Sequence, residues 1–215
     1  MSATWTSARV HSDIKAALSL REAGNQAFRS GDCKLSAEKY REANYDILWL
    51  KGQRYTGAVP QSDWSIVEAI TEAQFITQSN PAASWLKYDT YDGEENRFLK
   101  ALGCTSTAQE ALRDHPTRWK PSATAMRKLL YRRALAYEGL DDYDEAWDAV
   151  QEAHRLPGEK DEAVCELGTR IWKVRQNGKS SGLDQGFMPI EPDSFFKPYK
   201  KENYDKLKTC RLCDP

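Results

Sequence analysis

The chain has 215 residues, with 31 Lys or Arg against 32 Asp or Glu and a formal net charge of -1. That length supports one domain, or one domain and a tail. The balanced charge leaves no basic surplus for nucleic acid, and no apolar run approaches the ~20 residues that span a bilayer.

Seven Trp and ten Tyr favour an ordered core and an aromatic-lined groove. The five cysteines are odd in number and scattered except for Cys210 and Cys213, which reads as a reduced, cytoplasmic protein and not a disulfide scaffold. Met1 to Trp5 are not a basic segment leading into an apolar core, so no secretory signal is expected.

The first predicted helix covers 11–29, with Ser12 as N-cap and a stripe of Ile14, Leu18, Leu20 and Ala23. Gly24 has no side chain, so a partner helix can approach closely there. A second helix is expected from Lys34 to about Lys51, with Tyr40, Ala43, Ile47 and Leu50 on one face. Ser62 and Asp63 cap a third, whose apolar face is Trp64, Val67, Ile70 and Phe75 and which Asn80-Pro81 is expected to end.

Residues 82–124 carry turn signals at Asp92-Gly93, His115-Pro116 and Lys120-Pro121, and read as short helical pieces over 82–88, 94–103 and 107–114. Periodicity is clear from Ala123 to His154. A further helix runs from Asp161 to Gln176, with Val164, Leu167, Ile171 and Val174 inward and Asn177-Gly178 as its cap. Two units follow: a helical domain over 1–178, irregular at about 52–122, and an aromatic and proline-containing tail over 179–215.

Two stretches repeat one pattern. Gly24 to Asp32 leads into Ser36, Tyr40 and Ala43; Tyr131 to Tyr137 leads into Leu140, Tyr143, Ala146, Val150 and Ala153. Small residues stand where two helices touch, aromatics stand one turn away, and a Gly-Asp or Asp-Asp turn lies between. The chain separating the stretches exceeds one repeat of ~34 residues, which predicts one degenerate middle repeat plus an insertion.

This pattern resembles tetratricopeptide repeats, in which each helix pair must stack on a neighbour to bury its apolar face. The fold it implies is an all-α, right-handed array of about seven helices. Lys128 to Ala146 is similar to the third repeat of co-chaperone domains, such as those of large immunophilins and Hop-type adaptors. In that family a carboxylate clamp grips the C-terminal Glu-Glu-Val-Asp of large heat-shock chaperones. The resemblance implies that Arg21 and Asn25 form the first pair of such a clamp, Lys128 and Arg132 the last, and Asn96 the middle asparagine, although its spacing to Lys128 departs from the family's. Residues four apart share one helix face, and carboxylates are well held by cations with an amide fixing orientation.

The leading expectation is therefore a module that binds a peptide or an acidic C-terminal tail, with no cofactor, metal, nucleic acid or membrane partner. The alternative is a small-molecule or catalytic pocket closed by the insertion and the tail. His115 with Asp114 is its acid/base candidate, and Cys104 its nucleophile. Cys210-x-x-Cys213 reads as half a zinc site, a redox pair or two exposed thiols. Trp64, Trp85, Trp119, Trp147 and Trp172 read as inter-helix packing.

Overall fold

The computed structural model describes residues 7–55, 64–87, 94–113, 119–159 and 161–179. Among these the chain is all-α, with seven helices and no strand. They are α1 (Ser7–Arg29), α2 (Cys33–Tyr55), α3 (Trp64–Lys87), α4 (Glu94–Arg113), α5 (Ala123–Glu138), α6 (Tyr143–Arg155) and α7 (Glu162–Lys179). Each helix packs on the next, giving the hairpins α1–α2, α3–α4 and α5–α6 with α7 against the last. The odd-numbered helices also touch one another in order, α1 on α3, α3 on α5 and α5 on α7. They form one layer of the array, and α2, α4 and α6 form the other. None of the described helices is long and apolar enough to cross a membrane.

The first and last hairpins turn by the same device. At the end of α1, Asp32 N–H donates to the Ala27 carbonyl (2.9 Å) and Gly31 N–H to Phe28 (3.1 Å). At the end of α5, Asp142 N–H donates to Tyr137 (2.9 Å) and Asp141 N–H to Glu138 (3.1 Å). Both are Schellman motifs, which need a left-handed residue just past the helix. Gly31 supplies it at φ 85° and Asp141 at φ 58°; aspartate is among the few side chains that tolerate it. Asp32 and Asp142 then cap the next helix, accepting from Leu35 N–H (2.9 Å) and Glu145 N–H (3.3 Å).

Packing at the two hairpins follows the small-residue pattern. A Cβ on Gly24 would stand 2.8 Å from the Tyr40 ring, so only glycine admits this tyrosine. In the last hairpin Ala134, Ala146 and Ala153 are fully buried beside Leu130, Val150, Leu167 and Ile171. Val164, Leu167 and Ile171 of α7 cover that core as expected, whereas Val174 is 38% exposed. Ser36 is fully buried, with its hydroxyl 2.8 Å from that of Ser84 on α3.

The segment read as irregular holds a complete hairpin, and here several expectations are corrected. Asn80-Pro81 does not end the third helix; α3 runs on to Lys87 with Pro81 inside it. Proline in a helix interior costs about 3 kcal/mol and one backbone hydrogen bond. The position of α3 offsets this: it is central, and every side chain from Thr77 to Ser84 is buried. The pieces expected over 94–103 and 107–114 are not separate up to Arg113 but run as one helix, α4, spanning Gly103. Buried Ala101, Ala108 and Ala111 fix it against its neighbours despite weak local propensity. Asn177-Gly178 lies inside α7, and Ser12 lies inside α1 instead of capping it. The tail beyond 179, including Cys210 and Cys213, lies outside the described residues.

Because α3 is enclosed, its polar side chains must find partners within the protein. Thr71 and Thr77 bond back to the Val67 and Ala73 carbonyls, each at 2.8 Å. Gln78 donates to Asn44 on α2, and Asn80 donates to Asn25 on α1. The aromatics fill the remaining gaps: Trp119 meets Phe75 edge-on at 5.7 Å, Trp147 packs on Trp172 at 5.4 Å, and Trp85 lies beside α4 under Lys100. The Trp64 side chain lies outside the described residues.

Candidate functional site

The layer of α1, α3 and α5 borders a groove of about 310 Å³. Its lining comes from α1 (Arg21, Glu22, Asn25, Arg29), α3 (Phe75, Ile76, Ser79, Asn80) and α5 (Ala125, Lys128, Arg132). All four residues expected as the outer pairs of the clamp, Arg21, Asn25, Lys128 and Arg132, thus meet in one place. Each pair is spaced four apart on its helix, so both members point into the groove.

The asparagine between them is Asn80, which sequence reasoning missed. Asn96 falls in the first turn of α4, outside the layer that lines the groove, and its side chain lies outside the described residues. Asn80 stands on α3 where Asn25 stands on α1 and Arg132 on α5. In each helix a buried alanine follows two residues later: Ala27, Ala82 and Ala134. That shared frame was the available signal. Pro81, which reads as a helix end, concealed it.

Asn25 is the best-anchored member. It is only 4% exposed. Its Oδ1 accepts from the Tyr40 hydroxyl (2.6 Å) and from Asn80 Nδ2 (3.3 Å). Two donors on the oxygen fix which end of the amide is which, and they turn Nδ2 toward the groove. There Nδ2 donates to Glu22 Oε2 at 2.8 Å. Arg132, 3% exposed, donates through Nη1 to the Ser79 carbonyl at 2.9 Å. That bond ties α5 to α3 one residue before Asn80.

The groove is strongly cationic, with Arg21, Arg29, Lys128 and Arg132 against the one carboxylate of Glu22 among its lining residues. Glu22 accepts from Arg29 Nη2 at 2.9 Å and lies 3.6 Å from Arg21 Nη2. The bonds from Asn25 and then Arg29 hold its carboxyl below the usual range, so it is ionised at neutral pH. Phe75, Ile76 and Ala125 supply an apolar wall beside the charges. The chemistry on offer is recognition of an anion attached to an apolar group.

Tyr40 makes this geometry testable. Burial pushes its phenol up to about 12 from an ordinary 10.0. The raised value means the protonated phenol is favoured by folding. Its contribution is complete below pH 10 and is lost as pH rises through 12. Tyr40→Phe is expected to lower stability by about 1–2 kcal/mol at neutral pH, since Asn25 loses a buried donor. Denaturant melts at several pH values should show the gap between wild type and variant closing between pH 10 and 12. A gap that stays constant across this window would show that the phenol is not buried as the structure places it.

Of the catalytic candidates, Cys104 is among the described residues, and it is not among those lining the groove. Cys104 is on α4, and burial pushes its thiol up to about 12, which removes the thiolate a nucleophile needs. Asp114 and His115 lie outside the described residues. No family model matches the chain, and no solved structure matches it.

Proposed function

We propose that the groove between α1, α3 and α5 binds the C-terminal segment of an acidic peptide or protein. The observation that carries this reading is the convergence of Arg21, Lys128 and Arg132 with two anchored asparagines, Asn25 and Asn80, around one groove. Cations supply attraction, and the amides fix the orientation of a carboxylate. Phe75, Ile76 and Ala125 receive an aliphatic side chain next to the terminus.

The arrangement accords with the resemblance to the tetratricopeptide domains of co-chaperones, with Asn80 in the role first given to Asn96. On that reading the protein is an adaptor, and its partner is a protein with an acidic tail such as the Glu-Glu-Val-Asp of large heat-shock chaperones. Titration with a Glu-Glu-Val-Asp peptide should give a dissociation constant of roughly 1–10 μM at low salt. Affinity should fall steadily with ionic strength, because the groove lies at the surface and its charges are screened. Absence of binding at low salt would overturn the reading.

A further inference from the structure

We infer that Glu22 is an internal competitor, a carboxylate of the chain's own that occupies the donors an incoming carboxylate must use. The inference rests on the groove being a carboxylate site. It adds that the unliganded site is partly satisfied by Glu22 and that binding requires its displacement.

The geometry is direct. Glu22 Oε2 takes the Asn25 amide at 2.8 Å, and Oε1 takes Arg29 at 2.9 Å. Arg21 lies 3.6 Å from Oε2. One carboxylate therefore accepts two hydrogen bonds and pairs with a further cation on α1, while Asn80 on α3 and Lys128 and Arg132 on α5 line the same groove. Asn25 cannot turn away from the groove, because Tyr40 and Asn80 hold its oxygen. An arriving carboxylate thus finds Asn25 engaged and a like charge beside it.

Glu22 is free to leave. Its side chain is 44% exposed, and it sits mid-helix with solvent on one side. A rotamer change carries the carboxylate outward, vacates Asn25 and releases Arg29 toward the upstream acidic residues of the ligand. Exposed ion pairs are weak, so the barrier is modest and the effect on affinity is graded. The result is a threshold. A ligand that offers several carboxylates displaces Glu22, and stray anions do not.

Glu22→Gln tests this, because glutamine keeps the length and removes the charge. Isothermal titration with the Glu-Glu-Val-Asp peptide should show the variant binding about three- to tenfold more tightly than wild type. Glu42→Gln is the control. Glu42 is a half-exposed carboxylate on α2, 2.8 Å from Lys39 and away from the groove lining, and its neutralisation should leave affinity unchanged. Equal or weaker binding by Glu22→Gln, with wild type binding normally, overturns the competitor role alone. Equal tightening by both variants would mean that overall charge is responsible, and also overturns it. If neither wild type nor Glu22→Gln binds, the carboxylate site itself is refuted. Matching thermal melts confirm that both variants are folded.

Discussion

Arg132→Ala is expected to weaken binding of a Glu-Glu-Val-Asp peptide at least about 100-fold, or roughly 3 kcal/mol. Arg132 is 3% exposed and lies at the junction of α5 and α3, donating to Ser79 at 2.9 Å. A carboxylate reaching it is taken out of water, so the pair is stronger than a surface ion pair. Arg132→Lys should lose about tenfold, because an ammonium cannot hold the Ser79 carbonyl and a carboxylate in one planar fork. Calorimetric titration of both variants, with melts to confirm folding, checks the claim. Binding by Arg132→Ala within about threefold of wild type would mean that this residue only ties helices together.

The largest stability effect is expected at Leu130. It is fully buried among Ala134, Ala146, Val150, Leu167 and Ile171, where α5, α6 and α7 meet. Leu130→Ala removes apolar contact and leaves a cavity that a layer of alanines cannot close, costing about 3–4 kcal/mol. In a domain of this size that lowers the melting temperature by roughly 6–15 °C. Val174→Ala on α7, where the side chain is 38% exposed, should change stability by no more than about 0.5 kcal/mol. If the two variants melt alike, α7 does not seal the array as the structure describes.

The outer hairpins were legible in the sequence because their signals are local. Gly24 opposite Tyr40, Ala134 opposite Ala146, and the Gly31-Asp32 and Asp141-Asp142 turns are each set by residues close in the chain. The middle hairpin was legible only in part: the start of α3 and its Val67, Ile70 and Phe75 face were read, but not its run through Pro81 nor α4 as one helix, and the reason is its position. A helix with neighbours on most sides needs little polar face, so the apolar stripe of α3 does not continue as a clean period beyond Phe75. It carries Thr71, Thr77, Gln78 and Asn80 inward because partners on α1, α2 and its own backbone satisfy them. Pro81 is a strong breaker in isolation, and only tertiary packing overrides it.

The site shows the same division. Arg21 with Asn25, and Lys128 with Arg132, could be paired because each pair shares one helix face. Asn80 could not be added, since its role depends on α3 continuing through a proline. Tyr40 reads as packing from its spacing, and its second task of orienting Asn25 arises from contact between helices. Glu22 carries no local sequence signal, and its part arises only where Arg21, Asn25 and Arg29 surround it.

The most direct test is to compare two forms of one peptide ending in Glu-Glu-Val-Asp, one with a free C-terminal carboxylate and one amidated. If Asn25, Asn80, Lys128 and Arg132 hold a chain terminus, the free acid binds in the micromolar range and the amide at least about tenfold more weakly. Equal affinity for the two forms would contradict the account, because the groove would then be reading acidic side chains along a segment and not the end of a chain.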